Sequence, residues 1–504
     1  MAHSSAAMAD AEAGPATTES SSTKTAGASV ENIASSAEKN LDADDTDPNI
    51  VNWDGPDDPQ NPRNWNKNFK LLNVLLIGLS ILCTNFSTTM FAPAAPQLAD
   101  EFNVHSGILT TLSVTIPSLG AATGPLLFAP LSEIFGRVRI YIATSLLFLA
   151  FAAGLARSTG IAMFLVFRFL DGVCYTSYLT CGAGTIADLF DHDNRGAASA
   201  VFALAPLLGP VLGPVIGGFI AQELDWRWIF YVILMVTGVI TLAVIVFMRE
   251  SMETILLEQK AKRLRKSTGN ANLRSAVSRG LPVRTIVARA FSRPIRMLLF
   301  SPIVLLLGLY LAFVFGLTFL LLATLSELFA NTYGFKQGVA GLAFLGLGIG
   351  CVIGTILFAK LSDKMAKKNT TPEHRLIMMM LGGPFVPASL FWYGWSAEYH
   401  VHWIVPIIGT GFIGIGIVFV TASGQLYMID TFGPEGSASA MAALTLIRNG
   451  SGAFLPLAAP PLYRKLGLGW GNSVLGFISL TFVPLAFLFY KFGQRLRERY
   501  PFQI

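Results

Sequence analysis

Charge is scarce in this chain. Asp, Glu, Lys and Arg make up only 13% of its 504 residues, against ~25% in soluble domains. That scarcity argues against an ordinary water-soluble protein. Cysteine is rare too: Cys83, Cys174, Cys181 and Cys351 all fall inside apolar runs. Their spacing suits neither a zinc site nor a disulfide framework, so they read as small packing residues. The histidines are scattered and offer no metal cluster. No Gly-rich loop carries the Lys-Ser/Thr pair of a nucleotide motor. Stretches such as Gly346-Leu-Gly-Ile-Gly350 lie within apolar runs instead. The reading is therefore not an enzyme, with no metal and no cofactor. The net charge of +5 does not point to nucleic acid, because the basic residues flank apolar runs. Membrane topology accounts for them better.

What is abundant is apolar. Hydrophobic residues reach 53%, with 47 Gly and 37 Phe. A helix needs about 20 apolar residues to cross a bilayer. Twelve stretches qualify: 71–92, 109–131, 138–157, 161–186, 196–221, 227–248, 297–325, 337–360, 376–396, 402–428, 436–460 and 468–490. The fold class is an all-α polytopic membrane protein, with twelve transmembrane helices as two six-helix bundles. Residues 1–70 read as a disordered N-terminal tail with no cleavable signal peptide. The bundles occupy 71–248 and 297–490. A basic linker, 249–296, joins them, and 491–504 is a short tail.

The two bundles share a string. Gly124-Pro-Leu-Leu-Phe-Ala-Pro-Leu-Ser-Glu133 recurs 230 positions later as Gly354-Thr-Ile-Leu-Phe-Ala-Lys-Leu-Ser-Asp363, with six of ten positions identical. Tandem repeats of this kind are how many transporters build a midplane site.

Basic residues orient the chain. The linker alone holds 12 Lys/Arg. The side with the linker and both termini carries 27, and the other carries 5: Arg157, Arg227, Lys336, Arg464 and Lys465. Positive residues stay cytoplasmic, so both termini are placed in the cytoplasm. The sequons at Asn85, Asn369 and Asn449 all fall in spans or in a cytoplasmic loop.

Several strings carry a family pattern. They are Pro130-Leu-Ser-Glu133-Ile-Phe-Gly136-Arg137, Arg168-Phe-Leu-Asp171-Gly172, and Gly209-Pro210-Val-Leu-Gly213-Pro214-Val-Ile-Gly217-Gly218 followed by Asp225-Trp226-Arg227-Trp228. The run Trp53 to Trp65 before the first span and Trp470-Gly471 before the last belong with them. Together these resemble the major facilitator superfamily, and more narrowly its fungal drug:proton antiporters with twelve spans. The resemblance covers roughly 51–500. It implies the major facilitator fold, export by alternating access, and protons as the coupling ion. It also implies a plasma-membrane protein that works as a monomer on small hydrophobic or amphipathic substrates.

The motifs have physical readings. Gly124, Glu133, Gly136, Arg137 and Asp363 form either a cytoplasmic latch or a topological stop with surface charges. Glu133 and Arg137 stand i, i+4 apart, so they pair if the helix continues. The resemblance implies that the latch stabilises an outward-facing state. Gly209, Gly213 and Gly217 line one helix face for close packing, with Gly218 beside them. Pro210 and Pro214 bend that helix, which suits a seal between the halves. The resemblance marks this run as an exporter signature.

Intramembrane charge is costly and marks function or a buried partner. Arg168 and Asp171 lie three apart, so they meet on one face, with Tyr175 and Tyr178 extending it. Asp171 is either a proton site or half of a static ion pair. Glu327 is a second candidate for protons or cations, or else a solvated interfacial acid. Arg448 and Asn449 either contact substrate oxygens or satisfy polar groups between helices. Phe313, Phe319, Asn85 and Gln425 complete the candidate cavity. The reading is a proton-coupled exporter of a drug, toxin or secondary metabolite. The alternatives are a proton-coupled nutrient importer and a membrane sensor on the same scaffold.

The charge asymmetry has a direct test. An epitope inserted at residues 158–160 should be labelled on intact cells. One fused after Ile504 should be labelled only after permeabilisation. The reverse pattern would overturn the orientation.

Overall fold

The structure, a computed structural model, describes residues 49–191, 196–277, 283–366 and 371–499. Residues 1–48, most of the expected disordered tail, lie outside them, as does the side chain of Asp363. Ten stretches among the described residues are long and apolar enough to cross a bilayer. The first half comprises α1 (Lys67–Thr89), α2 (Ala95–Glu101), α3 (Gly107–Phe135), α4 (Arg137–Ala156), α5 (Ile161–Leu189), α6 (Gly196–Glu223) and α7 (Trp226–Phe247). Two linker helices come next, α8 (Glu253–Thr268) and α9 (Val283–Phe300). The second half holds α10 (Pro302–Tyr333), α11 (Gln337–Leu342), α12 (Phe344–Ala366), α13 (Leu376–Gly382), α14 (Phe385–Glu398), α15 (Ile404–Phe454) and α16 (Ala459–Arg499).

Three helices bring the passes to twelve. α6 keeps its 28 residues helical through Pro206, Pro210 and Pro214, because neighbouring helices re-satisfy the freed carbonyls of a membrane helix. α15 is two passes divided at Gly433, where φ is 60° and ψ −171°. α16 enters its pass after a break at Gly467, with φ 72° and ψ −179°. Only glycine takes such backbone without strain.

The linker differs from its expected form. The seventh pass begins at Pro302 and not at 297. Residues 283–300 form the separate helix α9, which carries Arg284, Arg289, Arg293 and Arg296. It packs on both α3 and α15, one from each half. The last part of the tail is also ordered. β1 (Ile50–Val51) pairs in parallel with β2 (Arg274–Ser275). Trp53 Nε1 donates to Glu253 at 2.9 Å, and Lys260 meets Asp54 at 2.7 Å and Asp58 at 3.4 Å. The amides of Asp54 and Gln60 donate to Asp58, and with Lys260 beside them they hold its carboxyl below the usual carboxylate range.

The repeated string has equivalent places in the two halves. A Cβ on Gly124 would lie 1.8 Å from Thr176 Oγ1 and 2.8 Å from the Val173 carbonyl, so α3 packs backbone-close on α5. A Cβ on Gly354 would lie 3.0 Å from Ile415 Cα, so α12 packs on α15. Second pass on fourth and eighth pass on tenth is the same contact twice.

The glycine run of α6 works inside one half. Cβ atoms on Gly209, Gly213 and Gly217 would strike Asn85, Thr89 and the Met90 carbonyl of the α1 region, at 2.6, 2.0 and 1.9 Å. The i, i+4 face therefore seals α6 to α1. Contact with the second half comes from the other side of α6: Gly218 faces the Gln337 carbonyl, and Pro214 faces Gly341. The expected inter-half seal is thus made by neighbours of the glycine stripe and not by the stripe itself.

Gly217→Ala should force α1 and α6 apart. Overpacking of this kind costs about 1–3 kcal/mol. Thermal unfolding in detergent should show a lowered midpoint. Gly238→Ala is the control, because a Cβ there meets nothing within 4 Å. Equal midpoints for the two variants would refute the close contact.

Candidate functional site

α1 ends at Thr89, inside the bundle, so its last carbonyls have no intrahelical donor. Arg168 of α5 supplies the donors. Its Nη1 reaches the Ser87 carbonyl at 2.7 Å, and Nη2 the Thr88 carbonyl at 3.4 Å. Nε reaches the Ser113 carbonyl of α3 at 3.3 Å. A cation at a helix C-terminus is also favoured by the helix dipole. Three rings enclose the guanidinium, with Phe91, Phe164 and Phe230 centroids 5.1, 5.9 and 5.7 Å away. Trp226 packs edge-on against Phe164 at 5.5 Å. Aromatic faces attract a cation and exclude water from it.

Asp171 is buried beside this cap. Ser87 donates its hydroxyl to Asp171 Oδ2 at 2.8 Å. Asp171 Oδ1 is buried with no hydrogen-bond partner. The sequence spacing suggests a direct pair between Arg168 and Asp171. The structure interposes Ser87 instead: the arginine takes its carbonyl and the acid takes its hydroxyl. The orphan carbonyls of α1 compete for the arginine and win. Glu327 has no place in this group; its side chain is exposed on α10.

The other cavity candidates divide. Tyr178 stacks on Tyr141 at 4.5 Å and 4°, and bonds Ser145 at 2.7 Å, so it ties α5 to α4 within the first half. Asn85 Nδ2 donates to the Ile81 carbonyl at 2.8 Å, with Gly209 pressed against the side chain. Phe313 is buried against Phe482 of α16, 5.5 Å away. These three serve packing within a half. Phe319 is also buried, and contacts Phe315 at 5.1 Å. Gln425 is half-buried on α15. Tyr175 is half-buried on α5. Asn449 is buried and donates to the Ala121 carbonyl of α3 at 3.3 Å, joining the halves. The sequence reading missed Ser87 and Phe315, whose residue types carry no signal by themselves.

The latch takes a form the sequence did not suggest. Gly136, at φ 94°, ends α3 and starts α4, so Glu133 and Arg137 do not share a helix. Arg137 pairs with Asp188 at the end of α5, Nε to Oδ2 at 2.6 Å. Glu250 accepts from the amides of Arg137 and Val138 at 3.0 and 3.2 Å, capping α4. The second half repeats the pairing: Arg375, before α13, meets Asp430, near the end of the tenth pass, at 2.8 Å. Both pairs lie within their own half, so each braces one bundle.

The hydrogen bonds joining the halves cluster away from the linker. Gln97 Nε2 donates across the halves to Gln337 Oε1 at 2.9 Å, and within the first half to the Ala221 carbonyl at 2.6 Å. Gln337 Nε2 donates to the Pro93 carbonyl, and the Gly338 amide to Gln222 Oε1 at 3.0 Å. Thr115 donates to the Ala453 carbonyl at 3.0 Å. Among the described residues, the halves are thus fastened at the end opposite the termini.

Comparisons with known proteins agree with this architecture. The profile of the Major Facilitator Superfamily matches residues 77–456. MFS transporter fsa7 of Fusarium sp. is 50% identical over 478 residues, covering 94% of each chain. The Trichosetin biosynthesis cluster MFS transporter of Gibberella fujikuroi is 47% identical over 460 residues, covering 91% of each. A partially occluded inward-open structure of the xylose transporter XylE from E. coli aligns with a TM-score of 0.64 at 17% identity. That alignment covers 84% of this chain and 98% of the other, and it speaks to the fold alone.

The Arg137–Asp188 brace can be tested by itself. A double-mutant cycle with Arg137→Gln and Asp188→Asn should give a coupling of about 1–3 kcal/mol in unfolding measurements. Additive effects would remove the brace.

Proposed function

The chain belongs to the major facilitator superfamily, and from that premise we propose that it exports a small amphipathic metabolite in exchange for protons. It is a multi-pass membrane transporter and not an enzyme. A relative whose name ties it to a metabolite biosynthesis cluster supports metabolite export. The glycine–proline run of α6 supports the same direction by resemblance. The plasma membrane is the site we assign, with both termini in the cytoplasm.

Buried Asp171 carries the coupling step. One of its oxygens is held by Ser87, and the other has no partner. A buried carboxylate with an unfilled acceptor site gains from binding a proton, because the neutral acid costs less in a low-dielectric site. Its position at the end of α1 makes the gain state-dependent. If α1 shifts against α5 within the first half when the access state changes, the Ser87 contacts to Asp171 and Arg168 change together. Protonation then favours one access state over the other. A coupling ion works only through such a difference in affinity between states. Arg168 is the positioning residue: it holds the end of α1 against α5. Tyr175, Arg448 and Asn449 form the substrate-facing side of the reading, supported by the bond from Asn449 to the Ala121 carbonyl of the other half. The glutamine clasp at Gln97 and Gln337 closes the far side while substrate loads from the linker side.

Flux in proteoliposomes tests the coupling. The probes are a naphthalenesulfonate with an alkyl tail, its neutral dimethylsulfonamide and a naphthyl trimethylammonium, none of which a pH gradient traps by itself. Movement of at least one probe should follow the imposed pH gradient. Asp171→Asn should lower the gradient-driven component by about tenfold or more. Gradient-driven flux that survives the substitution would move the proton site elsewhere, and flux indifferent to the gradient would refute antiport.

A further inference from the structure

Arg448, half-buried in the second half, lacks what the buried charges Arg168 and Asp171 have. Arg168 is satisfied by three carbonyls, and Asp171 by a hydroxyl on one oxygen. Arg448 Nε is buried with no hydrogen-bond partner. Among the described residues, no carboxylate pairs with it, and Tyr175 of α5 is a neutral phenol.

Its surroundings place it between the halves. The guanidinium lies over the Phe315 ring of α10, 4.7 Å from the centroid. Phe315 contacts Phe319 at 5.1 Å. Gly452, one turn beyond Arg448, makes room for both rings: a Cβ there would sit 3.1 Å from Phe315 and 3.3 Å from Phe319. The next residue, Asn449, is tied to α3 through the Ala121 carbonyl. Tyr175 is half-buried on α5, in the other half. The cation therefore faces the seam that alternating access opens, with an aromatic surface beside it.

A cation held in a low-dielectric interior without a counter-ion is costly, and such residues line substrate paths. A phenol donates or accepts a hydrogen bond but cannot cancel the charge. The missing partner is an anion. Guanidinium matches the planar oxygens of a carboxylate or sulfonate in a forked, two-bond geometry. Adjacent aromatic faces suit an apolar body attached to that head.

We propose that the substrate class is an amphipathic organic anion, its acidic head held by Arg448 and its apolar body lying on Phe315 and Phe319. Tyr175 donates to the same head from the other half. The inference rests on the exporter reading for its context and names the cargo of that site.

Equilibrium binding to the full-length protein in lipid nanodiscs tests it, with the same three probes followed by fluorescence anisotropy. The sulfonate should bind roughly tenfold to a hundredfold tighter than the sulfonamide. Arg448→Gln should bring the two to parity, and Arg448→Lys should keep part of the preference. An unchanged sulfonamide affinity in both variants shows that the site still folds. Equal affinities in the wild type, no sulfonate binding, tighter binding of the ammonium probe, or a sulfonate preference that survives Arg448→Gln would each overturn the assignment. Flux separates this failure from failure of the exporter reading. Gradient-driven transport without a sulfonate preference would sink the anion assignment and leave export standing. Arg448-dependent sulfonate binding without flux of any probe would do the reverse.

Discussion

α1 stops inside the bundle, and the arrangement of buried charge depends on that stop. In hydrocarbon no water waits to solvate the last carbonyls of a helix. Arg168 meets those of Ser87 and Thr88 and borrows a third from Ser113. That fixes the guanidinium, the phenylalanines around it and the rotamer of Ser87. Asp171 then finds a hydroxyl instead of a cation. One of its oxygens is held by that hydroxyl, and the other has no hydrogen-bond partner.

The halves of the molecule are copies in mechanics as well as in sequence. The repeated string sets the second pass on the fourth and the eighth on the tenth through glycine. Outside the string, each half also sets a basic residue on an acid at the end of a pass, Arg137 on Asp188 and Arg375 on Asp430. Each bundle is stiffened at its linker-side end by its own pair. Among the described residues, the stiffened bundles are joined by the glutamine bonds together with Thr115 and Asn449.

Much of this was legible in the sequence, because hydrophobic length and repeated strings are strong signals. The passes, the two bundles and the buried pair at 168 and 171 could be read directly. Partners could not. The i, i+4 spacing of Glu133 and Arg137 presumes one helix, and a single positive φ at Gly136 divides it. Tyr178 shares a helix with Tyr175 but turns inward to Tyr141, since a face on a helix does not say which neighbour it meets. Ser87 is an ordinary serine in an apolar run, and only the end of α1 gives it importance. The helices of the basic linker are polar or amphipathic, and their order comes from packing on the tail and on the bundle ends.

The pairing of residues 50–51 with 274–275 shortens the linker in practice. Everything up to Ser275 is clasped to the segment that leads into the first pass, so it travels with the first bundle. Past that clasp the described chain resumes as α9, which has 18 residues, about 27 Å at 1.5 Å per residue. It touches both bundles, so it bridges the two bodies as a connecting rod more than a slack leash.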